Sequence, residues 1–234
     1  MKHFISLSKF PGTTGTYFYN NFFRRYSFPG KYEAHECSDI SKIRAWLPIV
    51  DGISISMPFK QSVLSYLEYV DSTVYDYDSC NTILLDEYCI NGFNTDLKGV
   101  EYTCAKISLG MKVSILGNGS MANMYYKYLS LRNHVVTMYA RGLNNWDSRH
   151  VDCDVVINCT GLGTIVPDSP LETLPKCSIV IDLALKDNVL SKQSKDITYV
   201  SGIEFYKQQF MEQFKLYTNI NPDSEYFDYL NKNR

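Results

Sequence analysis

Residues 111–141 read MKVSILGNGSMANMYYKYLSLRNHVVTMYAR, an apolar run, a glycine turn, a helix-like stretch and a second β-rich run. Within it VSILGNGSMA, residues 113–122, has the order G-x-G-x-x-A placed after a strand and ahead of a helix. That order is the phosphate-binding turn of a dinucleotide-binding βαβ unit. Gly117 allows the tight turn, and Gly119 lets the backbone approach a pyrophosphate. Asn118, Ser120 and Met121 complete the loop, and Ala122 allows close packing of helix on strand. N–H groups at the helix start would receive the phosphates. The acidic residue expected about 20 positions on, which would hold an NAD ribose, is missing. Arg141 stands after the second strand instead. A guanidinium offers fixed, charge-assisted donors to a 2′-phosphate, so the expected cofactor is NADP(H).

Two further runs, DCDVVINCTG and CSIVIDLAL, are almost continuously apolar, as strands of a parallel sheet covered on both faces should be. The first third of the chain instead alternates shorter elements. HFISL and KYEAHEC read as strands, TYFYNNFFRRY as an aromatic helix and DISKIRAWLPIV as a helix with an acidic start. GISISMP reads as a strand with Ile53, Ile55 and Met57 on one side and Ser54 and Ser56 on the other, followed by a helix over KQSVLSYLEYV. CNTILLDEYCINGFNTD reads as a hairpin. Near the end, Tyr206, Phe210, Phe214 and Tyr217, with Phe205 alongside, mark an amphipathic helix whose stripe is ordinary core. The expected fold is α/β: an N-terminal α/β substrate domain over 1–97, a Rossmann-type doubly wound dinucleotide-binding domain over 98–203, and C-terminal helices over 204–234 packing back on the first domain.

With 234 residues there is enough chain for two such domains. A net charge of −2 provides no basic field for nucleic acid or an acidic membrane surface. Four scattered histidines and seven cysteines without a CxxC pair give no metal-ligand spacing, so no metal is expected. The odd thiol count, no secretory leader and no membrane-length apolar stretch point to a cytoplasmic protein with reduced cysteines. A monomer or homodimer is expected.

Lys60 follows a strand of small hydroxyls, where a solvated lysine opening a helix would be unremarkable. Asp96, in NGFNTDLKGV, would by itself be an ordinary helix cap. Together with a dinucleotide turn further on, the pair suggests an enzyme working in a cleft.

Six blocks make the pattern specific. SISMPFK resembles N-V-T-x-P-F-K, SCNT resembles A-V-N-T, and GFNTD resembles G-x-N-T-D-G. LGNGSMA resembles G-A-G-G-A-[AS], INCTGLGT resembles N-A-T-x-x-G-M, and GIEFYKQQFMEQF resembles G-x-x-M-L-x-x-Q-x-x-x-x-F. In this order they resemble the shikimate/quinate dehydrogenase family along almost the whole chain. The resemblance implies an NADP-dependent oxidoreductase moving a hydride between NADP(H) and a ring hydroxyl or ketone of shikimate, quinate or a related cyclic hydroxy acid. It makes Lys60 and Asp96 the acid–base pair and Asn81, Ser54, Ser56 and Gln209 substrate contacts. It adds Thr160, Leu183 and Gly202 to the cofactor residues.

The chain also departs from the family. Ser54 replaces an Asn and Ser56 a Thr. The S-x-S-P-x-x-H-N carboxylate clamp aligns with TTGTYFYN, making Thr13 the first hydroxyl and Gly15 the lost second; the alternative alignment puts the clamp at Ser6 and Ser8. Leu185 stands in place of a tyrosine, Arg141 lacks the Asn and Thr usually beside it, and Ser120 replaces a glycine. The substrate expected is therefore a relative of shikimate as readily as shikimate itself. A non-catalytic ligand or nucleotide sensor on the same fold is the competing expectation, against which the retained Lys60, Asp96, Asn81 and Gln209 stand.

Overall fold

The serines that alternate with apolar residues near the N-terminus decide how the first sheet is built. Its strands are β1 (Lys2–Ser8), β2 (Gly30–Glu36), β3 (Gly52–Ile55), β4 (Tyr69–Val70), β5 (Thr82–Leu85) and β6 (Ile90–Phe93), in the spatial order β2-β1-β3-β5-β6-β4. β1 runs parallel to both β2 and β3, while β5 is antiparallel to β3 and to β6. Ser6 lies opposite Ser54, and Ser54 opposite Thr82. Because side chains alternate along a strand, this register collects Phe4, Ser6, Tyr32, Ser54 and Thr82 on one face. The other face carries Ile5, Leu7, Ile53, Ile55 and Ile83, which form an apolar core with Ile43, Phe59, Val63 and Val74.

The mixed face is covered by aromatic helices. α1 (Thr14–Arg25) buries Phe18, Tyr19, Phe22 and Phe23. They meet Phe210, Phe214 and Tyr217 of α6 (Gly202–Thr218), and Phe18 stacks on Phe227 of α7 (Ser224–Lys232) at 4.2 Å between ring centroids. The structure, a computed structural model, describes residues 1–87, 89–160, 176–185 and 196–234. Its chain divides into two compact units, Met1–Thr95 with Gln209–Arg234, and Asp96–Gln208.

Three local expectations need correcting. Residues 60–70 are not one helix: a 3₁₀ segment, Ser62–Tyr66, gives way to β4. Glu68 N–H donates to the Ile90 carbonyl and Asp71 N–H to the Gly92 carbonyl, so pairing with β6 takes the chain that a helix would have used. β3 stops at Ile55, and Met57 is 62% exposed; Phe59, from the turn beyond Pro58, is the residue that reaches the core. In DISKIRAWLPIV, Asp39 accepts from Ser41 N–H and caps a 3₁₀ turn, leaving only one α-turn, α2 (Ile43–Trp46). A short helix, α3 (Ser72–Tyr77), precedes β5.

The second unit begins with α4 (Asp96–Cys104) and contains β7 (Lys112–Leu116), α5 (Ser120–Ser130), β8 (Val135–Tyr139), β9 (Val155–Asn158), β10 (Ile179–Asp182) and β11 (Thr198–Ser201). All five strands are parallel, in the order β11-β10-β9-β7-β8. From β7 the chain goes to β8 on one side and then to β9 on the other, the reversal that opens a crevice at the carboxyl ends of a doubly wound sheet. α4 is held to this unit by a close approach: a Cβ on Gly99 would lie 2.5 Å from the Phe205 ring.

Candidate functional site

In the first unit, the expected substrate residues sit at the carboxyl ends of β1 and β3 and around the start of β5. Asn81 is the centre. Its Oδ1 accepts from Thr95 N–H at 2.9 Å, from Thr95 Oγ1 at 3.1 Å and from Thr82 Oγ1 at 2.7 Å. Asn81, Thr82 and Thr95 are all nearly inaccessible to solvent. Gln209, also buried, donates through Nε2 to Thr95 Oγ1 at 3.0 Å. Ser54 donates to Gln213 Oε1 at 3.1 Å and shares a 3.0 Å hydrogen bond with the Tyr217 hydroxyl. Ser54, Asn81 and Gln209 are thus joined through Thr82, Thr95 and Gln213. Burial of so many polar residues is tolerable because each makes at least one hydrogen bond within the network.

Lys60 is half-buried in the turn after β3, and its carbonyl accepts from Cys80 N–H at 2.8 Å, which ties that turn to the residue before Asn81. Ser56 is exposed just past β3, with its N–H bonded to the Leu7 carbonyl. Thr13 is exposed at the N-cap of α1 and makes no side-chain capping bond. A Cβ on Gly15 would meet the Tyr32 ring at 3.1 Å, so little room exists for a serine there unless that ring shifts. Burial pushes the Tyr32 phenol up to about 12, against smaller opposing effects from hydrogen bonds with Ser54 and Ser6.

The second unit places its expected cofactor residues on one rim. Gly117 has φ +115°, a conformation that only glycine adopts without strain, and a Cβ built on it would lie 3.5 Å from the main chain of Cys159. Gly119 precedes α5 with no side-chain cap, and nothing lies within 4 Å of where its Cβ would be. Asn118 leans toward the next loop, its Nδ2 being 2.8 Å from a Cβ built on Gly142. Ser120 and Met121 form the first turn of α5, and Ala122 is fully buried. Arg141 is exposed immediately after β8. Thr160, Leu183 and Gly202 follow β9, β10 and β11. Open space at Gly119, uncapped helix geometry and an exposed guanidinium fit a dinucleotide pyrophosphate and its 2′-phosphate.

Behind that rim is a network the sequence reading did not single out. Asp182, with no solvent exposure, accepts from Asn158 Nδ2 at 3.0 Å, from Ala184 N–H at 3.2 Å and from the Tyr199 hydroxyl at 2.8 Å. Asn158 Oδ1 in turn accepts from Thr160 N–H and Oγ1. The available signal was a carboxylate and an amide each closing a near-continuous apolar run. Gln213, likewise missed, betrays itself as a second glutamine one turn beyond Gln209 on an aromatic helix. Asp96 opens α4 and is buried. Residues 161–164 of the INCTGLGT block, and the stretch after Leu185, lie outside the described residues.

The family model for the shikimate dehydrogenase substrate binding domain matches residues 13–83. A shikimate dehydrogenase-like protein of Haemophilus influenzae is 24% identical over 94% of this chain and 92% of its own. The NADP(+) shikimate dehydrogenase of Pyrococcus abyssi is 27% identical over 88% of each chain. By sequence the chain is similar to shikimate dehydrogenases, and its residues 13–83 match the model of their substrate binding domain. The solved Thermus thermophilus shikimate 5-dehydrogenase, in complex with NADP(H) and shikimate, superposes with a TM-score of 0.82 at 18% identity, over 100% of this chain and 99% of that one. The solved shikimate dehydrogenase 1 of Peptoclostridium difficile gives a TM-score of 0.84 at 20% identity, over 100% and 97% of the two chains. The fold class expected from the sequence therefore holds, and the relatives found are shikimate dehydrogenases, as the resemblance implied. Among the described residues no helix is long and apolar enough to cross a membrane, and no cluster of metal-ligating groups is found.

Proposed function

We propose that this protein is an NADP-dependent oxidoreductase that interconverts a ring hydroxyl and ketone on shikimate, quinate or a related cyclic hydroxy acid. The observation that carries the reading is the coincidence of two half-sites with their motifs: the Asn81–Thr95–Gln209 network in one unit and the glycine rim with Arg141 in the other. Relatives named NADP(+) shikimate dehydrogenases, matched over 88% and 76% of this chain, support it. Residues 1–97 would bind substrate, 98–203 the cofactor, and 204–234 complete the substrate side. Gly117, Asn118, Gly119, Ser120, Met121 and Ala122 would hold the pyrophosphate, Arg141 the 2′-phosphate, and Thr160, Leu183 and Gly202 the nicotinamide end. NADPH, when bound, supplies the hydride.

The chain's own part is to place the ring and manage one proton. Asn81, Gln209, Ser54 and Ser56, with Thr13 and the Gly15 turn, would orient the substrate. Lys60 would give its proton to the carbonyl oxygen as it becomes an alkoxide, and Asp96 would accept a hydrogen bond from the same hydroxyl and steer the ammonium. Loss of one such group costs about 10²- to 10⁴-fold in rate. The test is consumption of NADPH absorbance with 3-dehydroshikimate and a panel of cyclic keto acids. Lys60→Ala should lower kcat by about two orders of magnitude or more with KM little changed. No turnover on any member of the panel would overturn the reading in favour of a ligand sensor.

A further inference from the structure

The buried network around Asn81 has a direction, and the main chain fixes it. Gln213 lies 3.2 Å from the Asn81 backbone carbonyl, which only accepts, so the atom facing it is Nε2. That leaves Oε1 to accept from the Tyr19 hydroxyl at 2.6 Å and from Ser54 at 3.1 Å. Nε2 also donates to Thr82 Oγ1. A threonine hydroxyl has one proton, and Thr82 has two acceptors in reach of it, Asn81 Oδ1 at 2.7 Å and Thr95 Oγ1 at 3.2 Å; the shorter contact assigns the proton to Asn81 Oδ1. Thr95 N–H, which only donates, independently identifies the Asn81 atom facing it as Oδ1. A second branch repeats the pattern: Gln209 Nε2 donates to Thr95 Oγ1, and Thr95 Oγ1 donates to Asn81 Oδ1.

We infer that Gln213 is a positioning residue that, together with Thr95, sets the polarity of the substrate site. Through Thr82 it adds the third donor to Asn81 Oδ1, beside the two from Thr95, so that Asn81 offers its two Nδ2 protons to the ligand and Gln209 offers its Oε1. The ligand group at Asn81 must then be a hydrogen-bond acceptor, such as a ketone, carboxylate or ether-like oxygen. The group at Gln209 must be a donor, such as a ring hydroxyl. A neutral amide is required at 213, since a carboxylate there could not donate to the Asn81 carbonyl. Ser54 fits the same scheme, because a short hydroxyl donates to Gln213 Oε1 without displacing it. This inference rests on the proposed dehydrogenase reading for its substrate but not for its wiring.

Two readouts separate them. In protein labelled with ¹⁵N at Asn and Gln side chains, shikimate should shift the Asn81 NH₂ resonances of the wild type. Thr82→Val, close in shape to the native residue, should move those resonances without ligand and raise KM for the cyclic substrate about tenfold, with the KM for NADPH unchanged. Thr82→Ser, which keeps the hydroxyl, should restore both, and Gln213→Glu should behave as Thr82→Val or worse. Thr82→Val and Gln213→Glu proteins that are folded, with Asn81 resonances and KM at wild-type values, would overturn the inference. A wild type that neither turns over nor binds shikimate, but whose Asn81 resonances respond to Thr82→Val, would overturn the substrate class and leave the wiring standing.

Discussion

At Gly202 the first residue of α6 passes so close to the preceding strand connection that a Cβ would lie 2.6 Å from the Leu183 carbonyl carbon and collide with the Ala184 carbonyl oxygen. Those are main-chain atoms and cannot turn aside. Gly202→Ala should therefore destabilise the second unit by about 3 kcal/mol, the upper end of an overpacking penalty, measured as a lower urea midpoint. At Gly119, where nothing lies within 4 Å of the added carbon, the same change should leave stability nearly untouched. Residue-scale signals of this kind were legible in sequence only where a motif marked them. The Gly117 turn was readable because one residue type relieves its positive φ. Thr82 and Thr95 were not, because a threonine beside a motif looks the same whether it links two amides by hydrogen bonds or faces water.

Among the elements, α6 carries most. Phe210 and Phe214 have no solvent exposure and pack against Phe18, Tyr19, Phe22 and Phe23 of α1, while Phe227 of α7 closes the cluster. Phe210→Ala should cost about 3–5 kcal/mol in the first unit, read from urea unfolding, and should loosen α7 as well as α6. The period of that helix was plain in sequence, as were the parallel strands of the second unit, whose two buried faces demand unbroken apolar runs. The segment over 60–70 was misread because Val63, Leu64 and Leu67 suit a helix face and a tight turn equally well. What decided it was β6, a strand more than twenty residues later, whose edge offers backbone partners that no local pattern announces.

On the scale of the whole molecule, both units hide neutral acids. Burial raises the Tyr32 phenol to about 12 and holds Tyr217 well above its ordinary value in the first unit. In the second, burial lifts Cys104 to about 12 and Cys177 to about 11, and also raises Tyr125 and Cys159 well above their ordinary values. Each group releases its proton more readily when the chain unfolds. The stability they confer is complete below the unfolded values, about 8.5 for a thiol and 10 for a phenol, and is lost as pH climbs through the folded ones. The melting temperature should thus hold level near neutrality and fall progressively above about pH 9. A flat profile to pH 11 would mean these groups ionise in place. The two-unit α/β architecture itself was legible from the change of strand character near residue 98, since short alternating strands and long apolar ones demand different coverings.

The row formed by Asn158, Asp182 and Tyr199 carries a consequence for how such a chain can vary. Asn158 and Asp182 end β9 and β10, and the Tyr199 hydroxyl reaches Asp182 from within β11, so the ends of two strands are tied to a third. A change at Asp182 would therefore be felt in all three strands at once, since its carboxylate is the group that Asn158 and Tyr199 share.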